Sequence, residues 1–187
     1  TNSLPFNDNN AFPEDEKGNL WIGTNGGGLV YYDRKNNKFT QYRNDPSNSN
    51  SLSNNVVVSL FIDHQKILWI GTYYGGLNSF DGKNFKHYRH KPSDTRSLGD
   101  DNVWEILEDS DHNLWIGTLR GGVDVYNREK EQFFHYRSGE VNSIHTNYVA
   151  SLMEDRDGNM FVGTGYGLEV LEKQSGRFVH YLNDVKN

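Results

Sequence analysis

The sequence predicts an all-β fold, a β-propeller of four tandem four-stranded antiparallel blades, and three observations predict it. A short aromatic motif recurs at fixed spacing, each interval holds four apolar runs of strand length, and the segments between the runs are rich in Gly, Asn and Asp. The motif is Trp21-Ile22-Gly23-Thr24, Trp69-Ile70-Gly71-Thr72, Trp115-Ile116-Gly117-Thr118 and the variant Phe161-Val162-Gly163-Thr164, at offsets of 48, 46 and 46 residues. Four antiparallel strands in roughly 45 residues is the size of a propeller blade.

In chain order, each repeat opens on a Ser-(Leu/Ile)-x-x-(Asn/Asp) segment, at residues 3–7, 51–55, 97–101 and 143–147. Strand A follows, and in the second repeat it is the apolar run 56–62. An Asp then begins the turn, six residues before the aromatic of the motif, at Asp15, Asp63, Asp109 and Asp155. Strand B carries the motif, 68–72 in the second repeat. Residues two apart share a face of a strand, so the Trp ring and the bare Gly backbone lie side by side and let stacked blades interlock. Packing therefore explains the motif. Tyr73-Tyr74-Gly75-Gly76 leads to strand C at 77–80, and Asp81-Gly82-Lys83-Asn84 supplies hairpin residues before strand D at 85–88. A Phe-x-x-Tyr pair marks every strand D, at Phe39/Tyr42, Phe85/Tyr88, Phe133/Tyr136 and Phe178/Tyr181.

No stretch carries a helical period. The blades are expected over 3–46, 51–92, 97–138 and 143–184, within one domain over 1–187. The end repeats depart from the pattern. Polar residues 8–10 and Pro13 degrade strand A of the first, since proline cannot donate to a ladder, and the fourth has Phe161 for Trp and one residue fewer in its loop.

A hydrophobic fraction of 34% and a mean hydropathy of -0.82 suit a heavily solvated chain. Four Trp, eleven Tyr and ten Phe, spread evenly, argue instead for packed, half-buried sheets. A net charge of -6 excludes nucleic acid as a partner, because affinity for phosphate backbones comes largely from Lys and Arg. The absence of cysteine removes disulfides, zinc-thiolate sites and thiol catalysis and leaves the compartment open. No window approaches the roughly 18 apolar residues of a membrane span, so no membrane contact is expected of this segment, and any signal or anchor lies outside it.

The B-to-C loops and the connections from D to the next A are expected on one side of the blades, the A-to-B and C-to-D turns on the other. Loops that vary on a repeating frame are where binding usually lives. Tyr73, Tyr74, Arg120 and Tyr166 combine aromatic rings with polar groups and are candidates to stack on and hydrogen-bond a sugar or other polar ligand. Asn55, Asp101 and Asn147 are candidates to line a channel mouth, against the alternative that they bond nearby backbone. No catalytic residue, metal site or cofactor is expected. Residues 109–113 and 155–159 look like the start of a calcium loop, but the twelfth residue counting from Asp155 is Tyr166 rather than the Glu such a loop needs, flanking helices are lacking, and both segments read as turns. The Gly-rich loops lack the Lys-Ser/Thr of a phosphate cradle. His87, His135 and His180 recur one residue before the Tyr of strand D and read as scaffold.

The combination of Gly-Asn-Leu-Trp-Ile-Gly-Thr, Gly-Gly-Leu and a following Tyr-Asp resembles the two-component regulator propeller repeat, in four copies over the whole chain. In that family the repeats form the periplasmic sensor region of bacterial receptors, often hybrid histidine kinases controlling genes for polysaccharide breakdown. The resemblance implies a periplasmic location, a membrane-bound parent with kinase and DNA-binding parts elsewhere, and an oligosaccharide ligand that biases the arrangement of a receptor dimer. Family members carry more than four repeats, so it also implies an open arc or part of a larger propeller, with exposed blade faces prone to self-association. Two other functions share the fold. A propeller enzyme such as a lyase needs a clustered His, Glu or Arg constellation, and a passive protein-interaction scaffold needs no chemistry at all.

Overall fold

The computed structural model describes residues 2–182, and all sixteen regular elements among them are β-strands. They form four antiparallel sheets, each built from four consecutive strands. The first sheet is β1 (Asn9–Ala11), β2 (Leu20–Thr24), β3 (Leu29–Asp33) and β4 (Lys38–Tyr42). The second is β5 (Val57–Ile62), β6 (Leu68–Thr72), β7 (Leu77–Phe80) and β8 (Phe85–Tyr88). The third is β9 (Val103–Glu108), β10 (Leu114–Thr118), β11 (Val123–Asn127) and β12 (Gln132–Tyr136). The fourth is β13 (Val149–Glu154), β14 (Met160–Thr164), β15 (Gly167–Glu172) and β16 (Arg177–Leu182). Each repeat is thus one blade, with strands A to D in order. Residues 183–184 of the last expected repeat lie outside the described residues.

The second repeat follows the sequence reading except at Val56, which pairs with Asn25 as an isolated bridge and leaves β5 to begin at Val57. Strand A of the first repeat is the shortest of the four, three residues, and polar Asn9 and Asn10 occupy it. Its register slips between Asn9 and Ala11, and the same irregularity recurs between Val57 and Ser59 and between Val149 and Ser151. The irregularity falls at the same place in these three blades, opposite the step from the motif Thr to the motif Gly.

The chain divides into two compact units, residues 2–89 with 101–103, and residues 90–100 with 104–182. Each has its own apolar core. In the first, Leu29, Leu52, Val57, Leu68, Ile70 and Phe80 pack together, with Trp21 and Tyr42 against them. In the second, Trp115, Val123, Ile144, Val149, Met160, Val162 and Phe178 do so. The motif glycines admit the next blade. A Cβ on Gly23 would stand 2.7 Å from Val57, and one on Gly117 would stand 2.7 Å from Val149. Leu52, Leu98 and Ile144 of the opening segments are buried to within 2% exposure, so each connection is anchored by an apolar plug.

Asp63 and Asp109 explain the six-residue spacing. Each accepts a 2.7 Å hydrogen bond from the indole N–H of its own repeat's Trp69 or Trp115. In the first repeat Asp15 takes the Tyr31 hydroxyl at 2.9 Å instead, and in the fourth Phe161 has no N–H to give.

Candidate functional site

Three hydrogen-bond systems shape the ends of the blades that carry the B-to-C loops. The motif threonine closes each loop across its base: Thr24, Thr72, Thr118 and Thr164 donate from Oγ1 to the carbonyls of Gly28, Gly76, Gly122 and Gly167 at 2.7–2.9 Å. The opening segment of the following repeat then grips the loop. Asn55 C=O accepts the N–H of Gly28 at 2.9 Å, Asp101 C=O that of Gly76 at 2.8 Å and Asn147 C=O that of Gly122 at 3.1 Å. The loops and the D-to-A connections therefore do emerge on one side, as the strand order requires.

The third system ties each opening segment to strand C of its own repeat. Asn78 Oδ1 accepts the N–H of Ser53 at 3.0 Å, Asp124 Oδ2 that of Gly99 at 2.6 Å, and Glu169 Oε1 that of His145 at 3.0 Å. All three acceptors are fully buried, where an unpaired backbone N–H or carboxylate would be costly. In the first repeat the matching positions are Pro5, which has no N–H, and apolar Val30. Strand D backs this system: His135 Nδ1 meets Asp124 Oδ1 at 2.6 Å while its Nε2 reaches the Thr95 carbonyl at 2.8 Å, and His87 Nε2 reaches the Ser51 carbonyl at 2.7 Å.

The carboxylates of the A-to-B turns are likewise committed. Asp155 Oδ1 accepts the N–H groups of Asp157 and Asn159, and Asp109 Oδ1 those of Asp111 and Asn113. Hydrogen bonds from the Asn159 side chain, with backbone N–H groups beside it, hold the Asp155 carboxyl below its usual range. These are the turn geometries that the residues suggest.

Of the sequence-predicted ligand residues, Tyr73 and Tyr74 are brought together. Their rings are 4.2 Å apart and their hydroxyls 3.2 Å apart. Tyr74 is 55% exposed and sits in the left-handed region at φ 61°, with its N–H on Asn102 Oδ1 at 3.2 Å. A left-handed backbone costs a bulky residue about 1–2 kcal/mol, and the loop frame holds it there. Arg120 is exposed beside Asp100, its Nε 3.7 Å from Oδ2. Tyr166 is 66% exposed on the fourth blade's loop.

Asn55 and Asn147 spend their side-chain oxygens on the N–H groups of Asn44 and Ser138, each at 2.8 Å, while Asp101 faces the Arg89 guanidinium at 3.3 Å. The sequence reading did not single out Tyr148 or Asn102. Each stands one residue past the Asn/Asp of its opening segment, the position of Val56 in the second repeat, and that comparison is the signal that finds them. Tyr148 is 42% exposed and packs on Gly165, the residue before Tyr166 in the chain. A cavity of about 480 Å³ in the first unit lies at the opposite strand ends, lined by Asp15, Lys17, Trp21, Asp63, Lys66 and Phe80 among others.

A repeated four-stranded blade, interlocked through a Gly on strand B and clamped at its loops by the next repeat, defines a β-propeller repeat protein. The chain belongs to the two component regulator propeller family, whose pattern matches residues 3–26, 51–74, 97–120 and 143–166. It is similar in structure to the extracellular domain of BT3049 from B. thetaiotaomicron, assigned to a hybrid two component system, with a TM-score of 0.85 and 24% identity over 96% of this chain and 25% of that one. The extracellular domain of BT4673 from the same organism, assigned to a one component system, gives a TM-score of 0.79 and 23% identity, covering 97% and 26%. Virginiamycin B lyase from Staphylococcus aureus gives 0.68 and 14%, covering 96% and 57%. The chain spans about a quarter of the length of the two extracellular domains. No curated protein matches it by sequence.

Proposed function

We propose that this chain is part of the ligand-sensing extracytoplasmic module of a bacterial two-component signalling receptor, in the periplasm, and that its ligand is an oligosaccharide. Membership of the two component regulator propeller family supports the sensing role. The observation that carries the ligand class is the Tyr73/Tyr74 pair: two rings in contact, one more than half exposed, on a loop braced by Thr72, Gly76 and Asn102. A rigid aromatic ledge with hydroxyls at its rim offers a face for the apolar side of a sugar ring and polar groups for its edge. Tyr166 and Tyr148 are exposed aromatic residues of the second unit.

Signalling then requires that the ligand favour one arrangement of a receptor dimer over another. Likeness to a lyase is a likeness of fold, and the buried carboxylates that a catalytic reading would seek, Asp124 and Glu169, are engaged in holding backbone. Calorimetric titration with polysaccharide-derived oligosaccharides tests the reading. Saturable binding is expected, and replacing Tyr73 and Tyr74 with Ala should weaken it by roughly 1 kcal/mol or more per stacking contact. Unchanged affinity in the folded double variant removes these residues from the site.

A further inference from the structure

The fourth blade departs from the others at one buried point. The strand C position held by Asn78 and Asp124 elsewhere is Glu169, at 0% exposure, and the opening-segment residue whose N–H it accepts is His145 in place of Ser53 or Gly99. His180 of strand D donates from Nδ1 to Glu169 Oε2, and His145 Nδ1 stands 3.4 Å from Oε1. The two imidazoles meet edge to face with 4.0 Å between centroids. One ring nitrogen from each histidine and one carboxylate oxygen lie within 4.8 Å of one another. We propose that His145, Glu169 and His180 bind a divalent transition cation of the zinc class.

The donor chemistry selects that class. Two imidazoles and a carboxylate suit zinc and its neighbours, whereas calcium and magnesium take oxygen ligands. Two atoms bound tetrahedrally to one zinc at about 2.0–2.1 Å are separated by about 3.4 Å, so the three groups need only small shifts to share an ion. Three protein ligands leave a fourth position for water or an incoming ligand atom.

The surroundings already orient the set. Glu169 is fixed by the His145 N–H at 3.0 Å, and the Phe178 ring lies nearly parallel to that of His180, 6.4 Å between centroids. With the His145 side chain 44% exposed over a sealed carboxylate, the site opens to solvent on the histidine side. On binding, the cation takes the place of the His180 Nδ1 proton, which leaves to solvent, so uptake releases a proton. The third blade cannot form the site, because Gly99 brings no second imidazole to Asp124.

Calorimetry and thermal melts of the untagged chain with Zn2+, and with Mg2+ as the control, test this. One equivalent of Zn2+ is expected to bind through this set, with proton release and a rise in Tm of at least about 5 °C at a hundredfold excess over Kd. His145→Asn, an exposed position, should keep the metal-free Tm and lose at least tenfold in affinity for that equivalent. Co2+ on the unaltered chain gives a readout independent of any variant, the visible absorption of four-coordinate cobalt. No zinc uptake, uptake unchanged in His145→Asn, or a cobalt complex without those bands overturns the proposal.

Discussion

At Gly122 the backbone has φ +82°, and an added Cβ would lie 2.3 Å from the Tyr136 carbonyl oxygen. A left-handed backbone costs a non-glycine residue about 1–2 kcal/mol, and overpacking about 1–3 kcal/mol more. Gly122→Ala should therefore lower stability by about 3 kcal/mol in urea unfolding. Gly139, at φ +88° with nothing within 4 Å, carries only the first cost, so Gly139→Ala should lose about 1 kcal/mol. Equal losses would mean that the close approach of the loop to strand D contributes nothing. His135 and Asp124 make a different residue-scale prediction. Burial works against the charged form of His135, but the Asp124 hydrogen bond and charge outweigh it and raise the imidazole. Full burial raises the Asp124 carboxyl, so the pair holds its one proton to higher pH than the separate groups do. The folded chain then binds more protons than the unfolded one. The stability this gives is fully present below the ordinary histidine value of 6.5 and is lost as pH rises through the raised value. Melts at rising pH should show the loss in the parent chain and a flatter profile in His135→Gln; identical profiles would remove the pair from the pH dependence.

At the scale of the strand, the sequence is most legible where side chains alternate against a core. Strands B, C and D of the second repeat fall on 68–72, 77–80 and 85–88 as their apolar runs predict, because Trp69, Ile70, Leu77 and Phe80 are buried in the way the runs imply. The irregular strand A of the first repeat is equally readable from Asn9, Asn10 and Pro13. The polar residues within strands are not. Asn78, Asp124 and Glu169 bond N–H groups 24 or 25 residues earlier, beyond any local pattern, and only the matched exception of Pro5 and Val30 hints at the arrangement. Repetition also conceals a difference. His87, His135 and His180 share a frame, yet only His180 has a second imidazole beside it, contributed by the opening segment of its repeat. The left-handed Tyr74 is hidden for a similar reason: tyrosine carries no preference for that conformation, which its loop imposes.

At the scale of the whole chain, the two units each bury their own core, but the fourth blade keeps an apolar face in water. Leu168 is 37% exposed, Tyr181 59%, and both line a depression with Phe161 and Val170. Gly23, Gly71 and Gly117 each meet a Val from a following strand, whereas the three atoms nearest a Cβ on Gly163 all belong to Ser151 of its own blade. A second copy of the chain is expected to cover this face. Light scattering should show mass rising with concentration, and a Leu168→Lys, Tyr181→Lys variant should suppress the rise; a parent chain that stays monomeric over that range removes the face as a contact.

The clasp between strand C and the opening segment also bears on how such chains change over generations. Its two partners lie within one repeat, so a duplication or deletion of a whole copy carries both halves together. Ser53 with Asn78, Gly99 with Asp124, His145 with Glu169 and Pro5 with Val30 are four solutions to one local constraint. Contacts between neighbours combine apolar side chains, such as Leu52 and Val57 against Leu29, with backbone carbonyls and a bare glycine, and the latter two are largely indifferent to side-chain identity. Each copy can thus drift toward its own chemistry while the array keeps its register, and the paired histidines of the fourth blade show how far one copy has diverged.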